Sequence, residues 1–328
     1  MSPDAVFLTG ATGFVGGHVC DALLEAGYSV RALVRNTRGE SARVSPGVEV
    51  VTGDIRRAGD LVPALRGCRY LVHTAALYSF APRDREAIHE VNVTGTRSLL
   101  VAARLAGVER AVITSSSATV GPAPNGRLAD EGDHAELGEH ASAYHASKVR
   151  QEREALAARV PTVMILPTAP LGPRDSKPTP TGRMVLDVMR GRMWATLAGG
   201  MNVVDVSDVA RAHVAALERG RPGERYLVGG VNLSLGEVFR VIAQAAGRSG
   251  PRMHLPYPIA FAAGAVDEAL ARLRSRSPSI PLEGVRMARQ TMHVTSEKAR
   301  RELGFQPGPI EPAVQSAVSW FRAGGYAA

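Results

Sequence analysis

Short apolar runs alternate along the chain with longer segments in which apolar positions recur every three or four residues. The short runs predict buried strands, and the longer periodic segments predict amphipathic helices. Strands are predicted at residues 6–9, 29–34, 48–52, 70–73, 111–114 and 162–166. Helices are predicted at residues 17–26, 60–65, 85–106, 143–159 and 206–219. This alternation is typical of right-handed βαβ units, so it predicts a parallel sheet with helices on both faces.

A glycine-rich turn follows the first predicted strand, with Gly10, Gly13 and Gly16 within residues 9–17. Glycine allows the backbone to approach a phosphate closely, and the N-terminus of the next helix offers free N–H groups and a partial positive charge. In a strand-turn-helix context, this pattern indicates a binding site for a dinucleotide pyrophosphate. The alternative is an ordinary turn between strand and helix that happens to be rich in glycine.

The pattern changes after residue 167. Residues 167–182 contain five prolines, which predicts a structured loop rather than a strand or helix. Residues 203–205 are expected to return to the first lobe, and residues 230–328 are predicted to be mostly helical. We therefore predict an α/β protein with a doubly wound parallel sheet (Rossmann fold) and a smaller, mostly helical C-terminal substrate lobe. The predicted dinucleotide-binding domain comprises residues 1–167 and 201–229, and the substrate lobe comprises residues 168–200 and 230–328.

Composition excludes several classes of protein. The 328 residues are 45% hydrophobic and 21% charged, as in ordinary globular proteins. The net charge of +8 does not indicate a nucleic-acid partner, because the basic residues are spread along the chain and no nucleic-acid motif is present. Cys20 and Cys68 lack the spacing of a metal or redox site, and we expect core thiols in a reducing compartment and no metal.

Two further features bear on location. The first predicted strand lies too close to the N-terminus to leave room for a signal peptide. The longest apolar run, residues 259–266, is shorter than the roughly 20 residues of a membrane-spanning helix. We therefore expect a cytoplasmic protein that is not an integral membrane protein.

Tyr144 and Lys148 lie four residues apart on a predicted helix, so their side chains share one face. An ammonium group beside a phenol favours the phenolate and is expected to lower the pKa of the phenol from about 10. A tyrosine tuned in this way can exchange a proton with an alcohol or ketone oxygen. The serines at residues 115–117 follow a predicted strand, at the sheet edge where such folds bind ligands.

The end of the second predicted strand bears on the choice of cofactor. An NAD site commonly places a carboxylate there to bind the ribose 2′-hydroxyl, but no acidic residue occurs between Arg31 and Arg38. Arg35 instead offers a guanidinium group that can stack on adenine and bind a 2′-phosphate, with Arg38 or Arg43 as helpers. This favours NADP(H) over NAD(H). The alternative is that Arg35 is an ordinary solvated arginine.

Motifs along nearly the whole chain resemble one family, the extended short-chain dehydrogenase/reductases, which form the NAD(P)-dependent epimerase/dehydratase group. The matching segments are residues 9–16, 53–54, 73–76, 92–96, 114–120, 144–148, 171–174, 204–210 and 302–305. Residues 172–174 and 177–183 most resemble the hopanoid-associated sugar epimerase branch, close to dihydroflavonol 4-reductase-like proteins.

The resemblance implies catalytic roles for four residues. Tyr144 would be the acid/base, and Lys148 would bind the ribose and lower the pKa of the tyrosine. Ser117 matches the hydroxyl that binds the reacting oxygen. Ser116 is its rival, because reductase relatives have the serine one place earlier.

The expected cofactor contacts combine the glycine turn, Arg35 and positions implied by the resemblance. Asp54 would meet the adenine, Asn92 would support the helix geometry, and Pro167 would begin the turn over the nicotinamide. The full set is Gly10, Thr12, Gly13, Phe14, Val15, Arg35, Asp54, Ile55, Ala75, Ala76, Asn92, Thr114, Tyr144, Lys148 and Pro167.

The sequence therefore predicts an NADP(H)-dependent oxidoreductase that moves a hydride at a carbinol or carbonyl carbon of a small molecule. The alternatives are an epimerase of nucleotide sugars or similar sugars with retained NAD, and a non-catalytic NADP(H) sensor. Sensors of this superfamily typically lose the Tyr/Lys pair. The resemblance also implies a homodimer through the helices after the fourth and fifth strands.

Two basic segments have open interpretations. Arg174, Lys177 and Arg183 either clamp an anionic substrate group or belong to a solvated loop. Residues 257–273, with arginines at and beyond their end, could contact a membrane surface or a lipophilic substrate. We favour packing of this helix against the first lobe.

Overall fold

The computed structural model describes residues 4–35, 44–79, 82–137, 142–273, 285 and 291–326. Its strands are β1 (Ala5–Thr9), β2 (Ser29–Val34), β3 (Glu49–Thr52), β4 (Tyr70–His73), β5 (Arg110–Thr114), β6 (Thr162–Pro167), β7 (Ala169–Leu171), β8 (Ala195–Thr196), β9 (Gly200–Asp205), β10 (Arg225–Val228), β11 (Val231–Ser234), β12 (Met253–His254) and β13 (Thr291–Met292).

The described helices alternate with these strands. They are α1 (Phe14–Glu25), α2 (Ala58–Leu65), α3 (Arg85–His89), α4 (Thr96–Leu105), α5 (Ala143–Ala157), α6 (Pro180–Met189), α7 (Val206–Arg219), α8 (Leu235–Ala246), α9 (Tyr257–Leu273), α10 (Glu297–Leu303) and α11 (Ile310–Ala323). A π-helical segment, Glu90–Gly95, joins α3 to α4. Short 3-10 turns occur at Pro82–Asp84, Ser117–Thr119 and Pro124–Gly126.

Seven strands form one sheet in the order β10-β6-β5-β4-β1-β2-β3, and every neighbouring pair is parallel. The predicted doubly wound parallel sheet is therefore confirmed. In this register Thr9 pairs with both Leu33 and His73, and Thr114 pairs with Ile165. The carboxyl ends of β1, β4 and β5 consequently share one edge, which brings the glycine turn and the serine cluster to the same side of the molecule.

The alternation of side chains along β1 shows why both faces of this sheet are covered. Val6 and Leu8 point into one apolar core, which α1 and α7 also line. Phe7 points into a second core, which α2 and α4 line on the opposite face. Because successive side chains of a strand point to opposite faces, a strand that is apolar throughout must be covered on both sides.

A smaller sheet has the order β11-β9-β13, and β7 also pairs with β9. Its core is lined by α6, α8 and α11. Residues 203–205 therefore pair within this small sheet, while Val204 packs in the core of the large sheet and Val203 in the core of the small one. The helix that follows them, α7, does contribute to the core of the large sheet.

The proline-rich segment is more regular than predicted. It contains β7 and the start of α6 at Pro180. Thr179 is the N-cap residue of α6, and its side chain accepts a hydrogen bond from Gly182 N. Proline is compatible with the first turn of a helix, where its missing N–H has no intrahelical partner. The prediction of a loop over the whole segment was therefore wrong.

Other elements also differ from the predictions. Helix α1 begins at Phe14 rather than at residue 17. The helix predicted at 85–106 contains a π-helical segment. Short strands β11 and β13 accompany the helices after residue 229.

The cysteines and α9 also bear on the predictions. Cys20 and Cys68 are buried free thiols, as expected. Within the part of the chain that the structure describes, no helix has both the length and the apolar character needed to cross a membrane. Four large apolar residues of α9 are exposed, contrary to the expected packing of this helix, and two are half-buried: the exposed ones are Ile259, Val266, Leu270 and Leu273, and the half-buried ones are Tyr257 and Phe261.

Candidate active site

The glycine turn leads directly into α1. Gly10 has a φ of +83°, and its carbonyl oxygen accepts a hydrogen bond from Gly13 N at 2.8 Å. Gly13 is the N-cap residue of α1, and neither a side-chain cap nor an acidic residue occupies the first turn. The N–H groups of this turn therefore remain suited to an anionic group, as a pyrophosphate requires.

Close packing around the turn explains two of its glycines. A Cβ atom at Gly16 would lie 2.1 Å from Gly10 O, and one at Gly10 would lie 2.5 Å from Thr74 Oγ1. The Thr74 hydroxyl in turn donates a hydrogen bond to Thr9 O at 2.8 Å. The start of α1 thus lies against the ends of β1 and β4 with no room for a side chain, which forms a cradle that fits a dinucleotide.

Two predicted cofactor residues lie beyond β3. The Asp54 carboxylate is paired with Arg56, with Nη2 and Oδ2 2.5 Å apart, and this pairing holds the pKa of Asp54 at about 2. Ile55 is buried in the core rather than facing solvent, and its side chain lies against Gly95.

The predicted 2′-phosphate site lies partly outside the described residues. Arg35 directly follows β2 and is exposed, on the same edge of the sheet as Gly10. Arg38 and Arg43 fall in the stretch that the structure leaves undescribed.

Helix α5 presents the predicted catalytic pair. Its N-cap residue, Ser142, accepts a hydrogen bond from His145 N at 3.1 Å, which places Tyr144 in the first turn and Lys148 one turn later. Lys148 Nζ lies 5.8 Å from the centre of the Tyr144 ring. The ammonium group donates hydrogen bonds to Thr114 O at 2.8 Å and to Gln151 Oε1 at 2.9 Å.

The acidities of this pair differ from the sequence-based expectation. Burial raises the pKa of Tyr144 to about 12, although a hydrogen bond with Ser116 opposes the rise. Burial also lowers the pKa of Lys148 to about 7, and the negative charge of Glu152 acts in the opposite direction. The expected lowering of the tyrosine pKa by the lysine was wrong, because desolvation dominates for both groups.

The three serines after β5 have different environments. Ser116 contacts the Tyr144 phenol and accepts a hydrogen bond from Ala118 N at 3.1 Å. Ser117 begins the 3-10 turn. Ser115 is buried, and its hydroxyl donates to Glu152 Oε1. The structure thus brings Ser116 next to the predicted acid/base.

A buried hydrogen-bonded chain behind Lys148 has no signal in the sequence. Gln151 Nε2 donates to Thr96 Oγ1 at 2.9 Å, and Thr96 Oγ1 is 2.8 Å from His73 Nε2. Because the only hydroxyl hydrogen of Thr96 goes to a backbone carbonyl, His73 Nε2 must be a donor, and Nδ1 accepts from Thr9 Oγ1 at 2.6 Å. Thr9, the last residue of β1, is therefore connected to Lys148 through fully buried side chains.

A buried ion pair lies below the same helix. Glu152 and Arg225 are both almost fully buried, with Oε2 and Nε 3.1 Å apart. The Thr119 hydroxyl donates to Glu152 Oε1 at 2.8 Å and accepts from Arg225 Nη2 at 2.8 Å. This pair joins β10 and the turn after β5 to the helix that carries the candidate catalytic residues.

Asn92 and Tyr78 connect the segment after β4 to α5. Asn92 donates to Leu77 O and to Ser147 Oγ and accepts from Leu77 N, so it fixes the segment after β4 against α5. The Tyr78 ring stacks on the Tyr144 ring, with centroids 4.1 Å apart. Nothing in the local sequence pattern predicts this stacking.

The remaining predicted cofactor residues have contacts of their own around Tyr144 and Lys148. Ala75 N donates to Thr9 Oγ1 at 3.4 Å, and Ala76 beside it is exposed. Thr114 contributes its carbonyl to Lys148, while its hydroxyl is 2.8 Å from His213 Nε2. Pro167 is the buried last residue of β6. Among the residues that the structure describes, no cluster of three or more His, Cys, Asp or Glu side chains could hold a metal ion.

Arg174 is oriented toward α1. Its Nη2 atom lies 2.6 Å from Asp21 Oδ2, so the arginine ties the proline-rich segment to the helix that follows the glycine turn. Arg183 Nε donates to Pro178 O at 3.2 Å. These contacts give both arginines structural partners within the protein.

Comparison with known proteins agrees with this geometry. The sequence profile of the NAD dependent epimerase/dehydratase family matches residues 6–229. A Synechocystis protein with the provisional name dihydroflavonol 4-reductase is 40% identical over 98% of this chain and 96% of its own length. A Stigmatella aurantiaca protein named 4-hydroxy-2-methyl-3-oxo-4-farnesyl-3,4-dihydroquinoline-1-oxide ketoreductase is 30% identical over 91% of both chains. The crystal structure of gox2253 superimposes with a TM-score of 0.86 at 40% identity, covering 98% of this chain and 99% of that one.

These matches confirm the resemblance to the dihydroflavonol 4-reductase-like branch. The chain therefore belongs to the NAD-dependent epimerase/dehydratase family and is an NAD(P)-dependent enzyme of the short-chain dehydrogenase/reductase type.

Proposed function

We propose that the protein is an NADP(H)-dependent ketone reductase, or alcohol dehydrogenase in the reverse direction, acting on a small molecule. The observation that carries the proposal is the Tyr144 phenol, which lies beside Ser116 and Lys148 at the sheet edge that also holds the glycine turn. The names of the two reductase relatives support reduction as the net reaction. The farnesylated quinoline in one of those names supports an apolar ketone as the first substrate to test.

The cofactor would bind along the carboxyl edge of the large sheet. The N-terminal turn of α1 with Gly10, Thr12, Gly13, Phe14 and Val15 would hold the pyrophosphate. Asp54 and the backbone of Ile55 would meet the adenine. Ala75, Ala76 and Thr114 would line the middle of the cofactor, Asn92 would support that wall, and Pro167 would begin the turn over the nicotinamide. When bound, the nicotinamide supplies or accepts the hydride.

The protein's own groups would handle the proton and the carbonyl oxygen. A pKa of about 12 keeps Tyr144 protonated at neutral pH, so the phenol is ready to donate a proton during reduction. The Ser116 hydroxyl would bind the same oxygen and polarise the carbonyl group. Lys148 uses two hydrogens for Thr114 O and Gln151 Oε1, and its protonated form keeps a third for a ribose hydroxyl.

The choice between reductase and epimerase depends on the cofactor. An epimerase oxidises and re-reduces its substrate with one retained cofactor, whereas a reductase releases its oxidised cofactor after each turnover. Arg35 directly follows β2, and no acidic residue occurs between Arg31 and Arg38, which supports an exchangeable NADP(H). The intact Tyr144–Lys148 pair argues against a sensor that does not turn over.

We expect the purified protein to bind NADPH at least tenfold more tightly than NADH, equivalent to about 1.4 kcal/mol. Nucleotide released on denaturation identifies any retained cofactor, and fluorescence titration of the apoprotein measures both affinities. Arg35→Ser should remove most of the preference by weakening NADPH binding much more than NADH binding, because only NADPH carries the 2′-phosphate, whereas both cofactors carry the adenine on which Arg35 can stack.

Arg66→Ser is the matched control. Arg66 is exposed at the end of α2, just before β4 and thus at the opposite edge of the sheet, so its loss changes the net charge equally without touching the site. Tightly retained NAD, or a preference that survives Arg35→Ser, would contradict the NADP(H) assignment. Retained NAD would make the epimerase the leading hypothesis.

Ser116→Ala is expected to lower kcat by about 10²-fold or more, since removal of one hydrogen bond to a developing oxyanion has an effect of that order. Ser117→Ala is expected to stay near the wild-type rate, because Ser116 is the serine that contacts Tyr144. Steady-state rates of both variants, with NADPH affinity as a check on integrity, separate the two roles. The reverse ranking would return the role to Ser117.

We also propose a homodimer through α4 and α5. Val101 and Leu105 on α4 and Leu156 on α5 are large apolar residues exposed to solvent. Arg97 and Glu154 form an ion pair between the same two helices, 2.6 Å apart. Val101 and Leu105 are one turn apart on α4 and form an exposed apolar surface there, and exposed apolar surfaces are typical of subunit interfaces.

A further inference from the structure

Helix α9 exposes its large aliphatic residues, while Tyr257 and Phe261 are half-buried. Ile259 and Val266 are 57% and 60% exposed, and Leu270 and Leu273 are 39% and 82% exposed. The residues that α9 buries are small: Ala260, Gly264 and Ala271. A surface helix of a globular protein ordinarily does the opposite and buries its large apolar side chains.

The exposed side chains form one continuous stripe. Each residue of an α-helix advances by about 100° around the axis, so the exposed apolar residues fall within an arc of roughly 120°. This stripe consists of Ile259, Ala262, Ala263, Val266, Ala269, Leu270 and Leu273. The acidic residues Asp267 and Glu268 lie outside that arc, so the stripe itself carries no charge.

The sequence has arginines at and beyond the C-terminal end of α9. Arg272 lies in the last turn of α9, and the sequence continues with Arg274 and Arg276. The whole chain has a net charge of +8. An uncharged apolar stripe with arginines at its end complements a surface that is apolar beneath an anionic layer.

The segment before α9 adds exposed groups of the same kind. Met253, in β12, is 55% exposed, and Trp194, just before β8, is 58% exposed. The two strands pair with each other, and Arg252 N donates to Trp194 O at 3.0 Å. Tryptophan is well suited to a water–lipid boundary, because its ring is apolar and its N–H is polar.

We propose that the α9 stripe lies on the surface of an anionic lipid bilayer, with its apolar side chains at the boundary between headgroups and acyl chains. The helix has 17 residues and, like the other described helices, does not qualify as a membrane span, so it would lie in the plane of the surface. A second copy of the chain is a poorer occupant, because it brings the same positive charge and because α4 and α5 already offer a separate apolar interface. The proposal does not depend on the reaction that the active site performs.

The test is co-sedimentation of the full chain with vesicles of phosphatidylcholine alone and of phosphatidylcholine mixed equally with phosphatidylglycerol. We expect binding to the mixed vesicles that weakens as salt is raised, and much weaker binding to phosphatidylcholine alone. The double variant Val266→Glu, Leu270→Glu should bind the mixed vesicles at least tenfold more weakly. Both side chains point to solvent, so its Tm and NADPH affinity should match the wild type.

Val231→Glu is the matched control, because Val231 is an exposed apolar residue on β11, away from α9; its vesicle binding should equal that of the wild type. Absence of salt-sensitive binding, or equal binding by the control and the double variant, would overturn the proposal. So would loss of a dimer in the double variant without any vesicle binding, since the stripe would then join two copies. Vesicle binding needs no turnover, so it can fail while the NADPH titration still supports the proposed reductase.

Discussion

Tyr144→Phe is expected to reduce kcat by about 10²–10⁴-fold, the usual contribution of a positioned proton donor. The variant keeps the aromatic ring that stacks on Tyr78 and loses only the hydroxyl that contacts Ser116. The loss of one hydrogen bond has a net effect of about 1 kcal/mol on stability, so the fold should survive. NADPH affinity should change little, because the pyrophosphate and ribose contacts proposed above come from other residues. Single-turnover reduction of a ketone, followed by NADPH absorbance, measures the effect.

Tyr78→Phe is the matched control for this experiment. It removes a hydroxyl from the other member of the stacked pair, whose ring is 41% exposed, and leaves the stacking intact. Its rate should lie within a few-fold of the wild type. A Tyr144→Phe variant that retained full activity would exclude Tyr144 as the proton donor, and an equal loss in both variants would indicate that packing rather than proton transfer is responsible.

The large sheet was predictable because its strands have a simple chemical pattern. β2 and β4 have the predicted bounds, since a short apolar run between turn residues has few other stable conformations in a globular protein. The start of α1 was missed by three residues because glycine has low helix propensity. In the structure Gly16 and Gly17 are helical, and the start of α1 lies close to Gly10 and Thr74, the residues that follow β1 and β4.

The small lobe was less predictable for a different reason. Its strands β8, β12 and β13 have only two residues each, which is too short for any periodicity. β7 lies within a proline-rich stretch, but it is paired on one side only, with β9. Proline is tolerated at such an edge, so local composition was a poor guide there.

The candidate site likewise has a part that local sequence patterns predict and a part that they do not. Tyr144, Lys148 and the serines are close together because one helix spacing and one strand end determine their positions, and both features can be recognised locally. The partners of Lys148 are not local: Gln151 reaches Thr96, and Thr96 reaches His73, across three separate elements. No linear pattern encodes that network or the burial of Tyr144 itself, which raises the pKa of the phenol instead of lowering it.

Gly16→Ala is expected to lower the free energy of unfolding by about 3 kcal/mol or more, at or above the upper end of ordinary overpacking. The added Cβ atom would lie 2.1 Å from Gly10 O and 2.4 Å from Thr74 Oγ1. Neither neighbour can move easily. Gly10 O accepts from Gly13 N, and the Thr74 hydroxyl donates to Thr9 O. Thermal unfolding and NADPH titration measure the two consequences, a lower Tm and loss of cofactor binding.

Gly59→Ala provides the comparison for this prediction, because the same substitution in α2 would place its Cβ atom in open space. Alanine is favoured over glycine in a helix by about 1 kcal/mol, so this variant should be as stable as the wild type or more so, and it should bind NADPH normally. If Gly16→Ala behaved like Gly59→Ala, then α1 would not need to approach β1 so closely. The close approach of α1 to the strand ends is what requires glycine at position 16. That result would therefore remove the structural argument for a pyrophosphate site at the glycine turn.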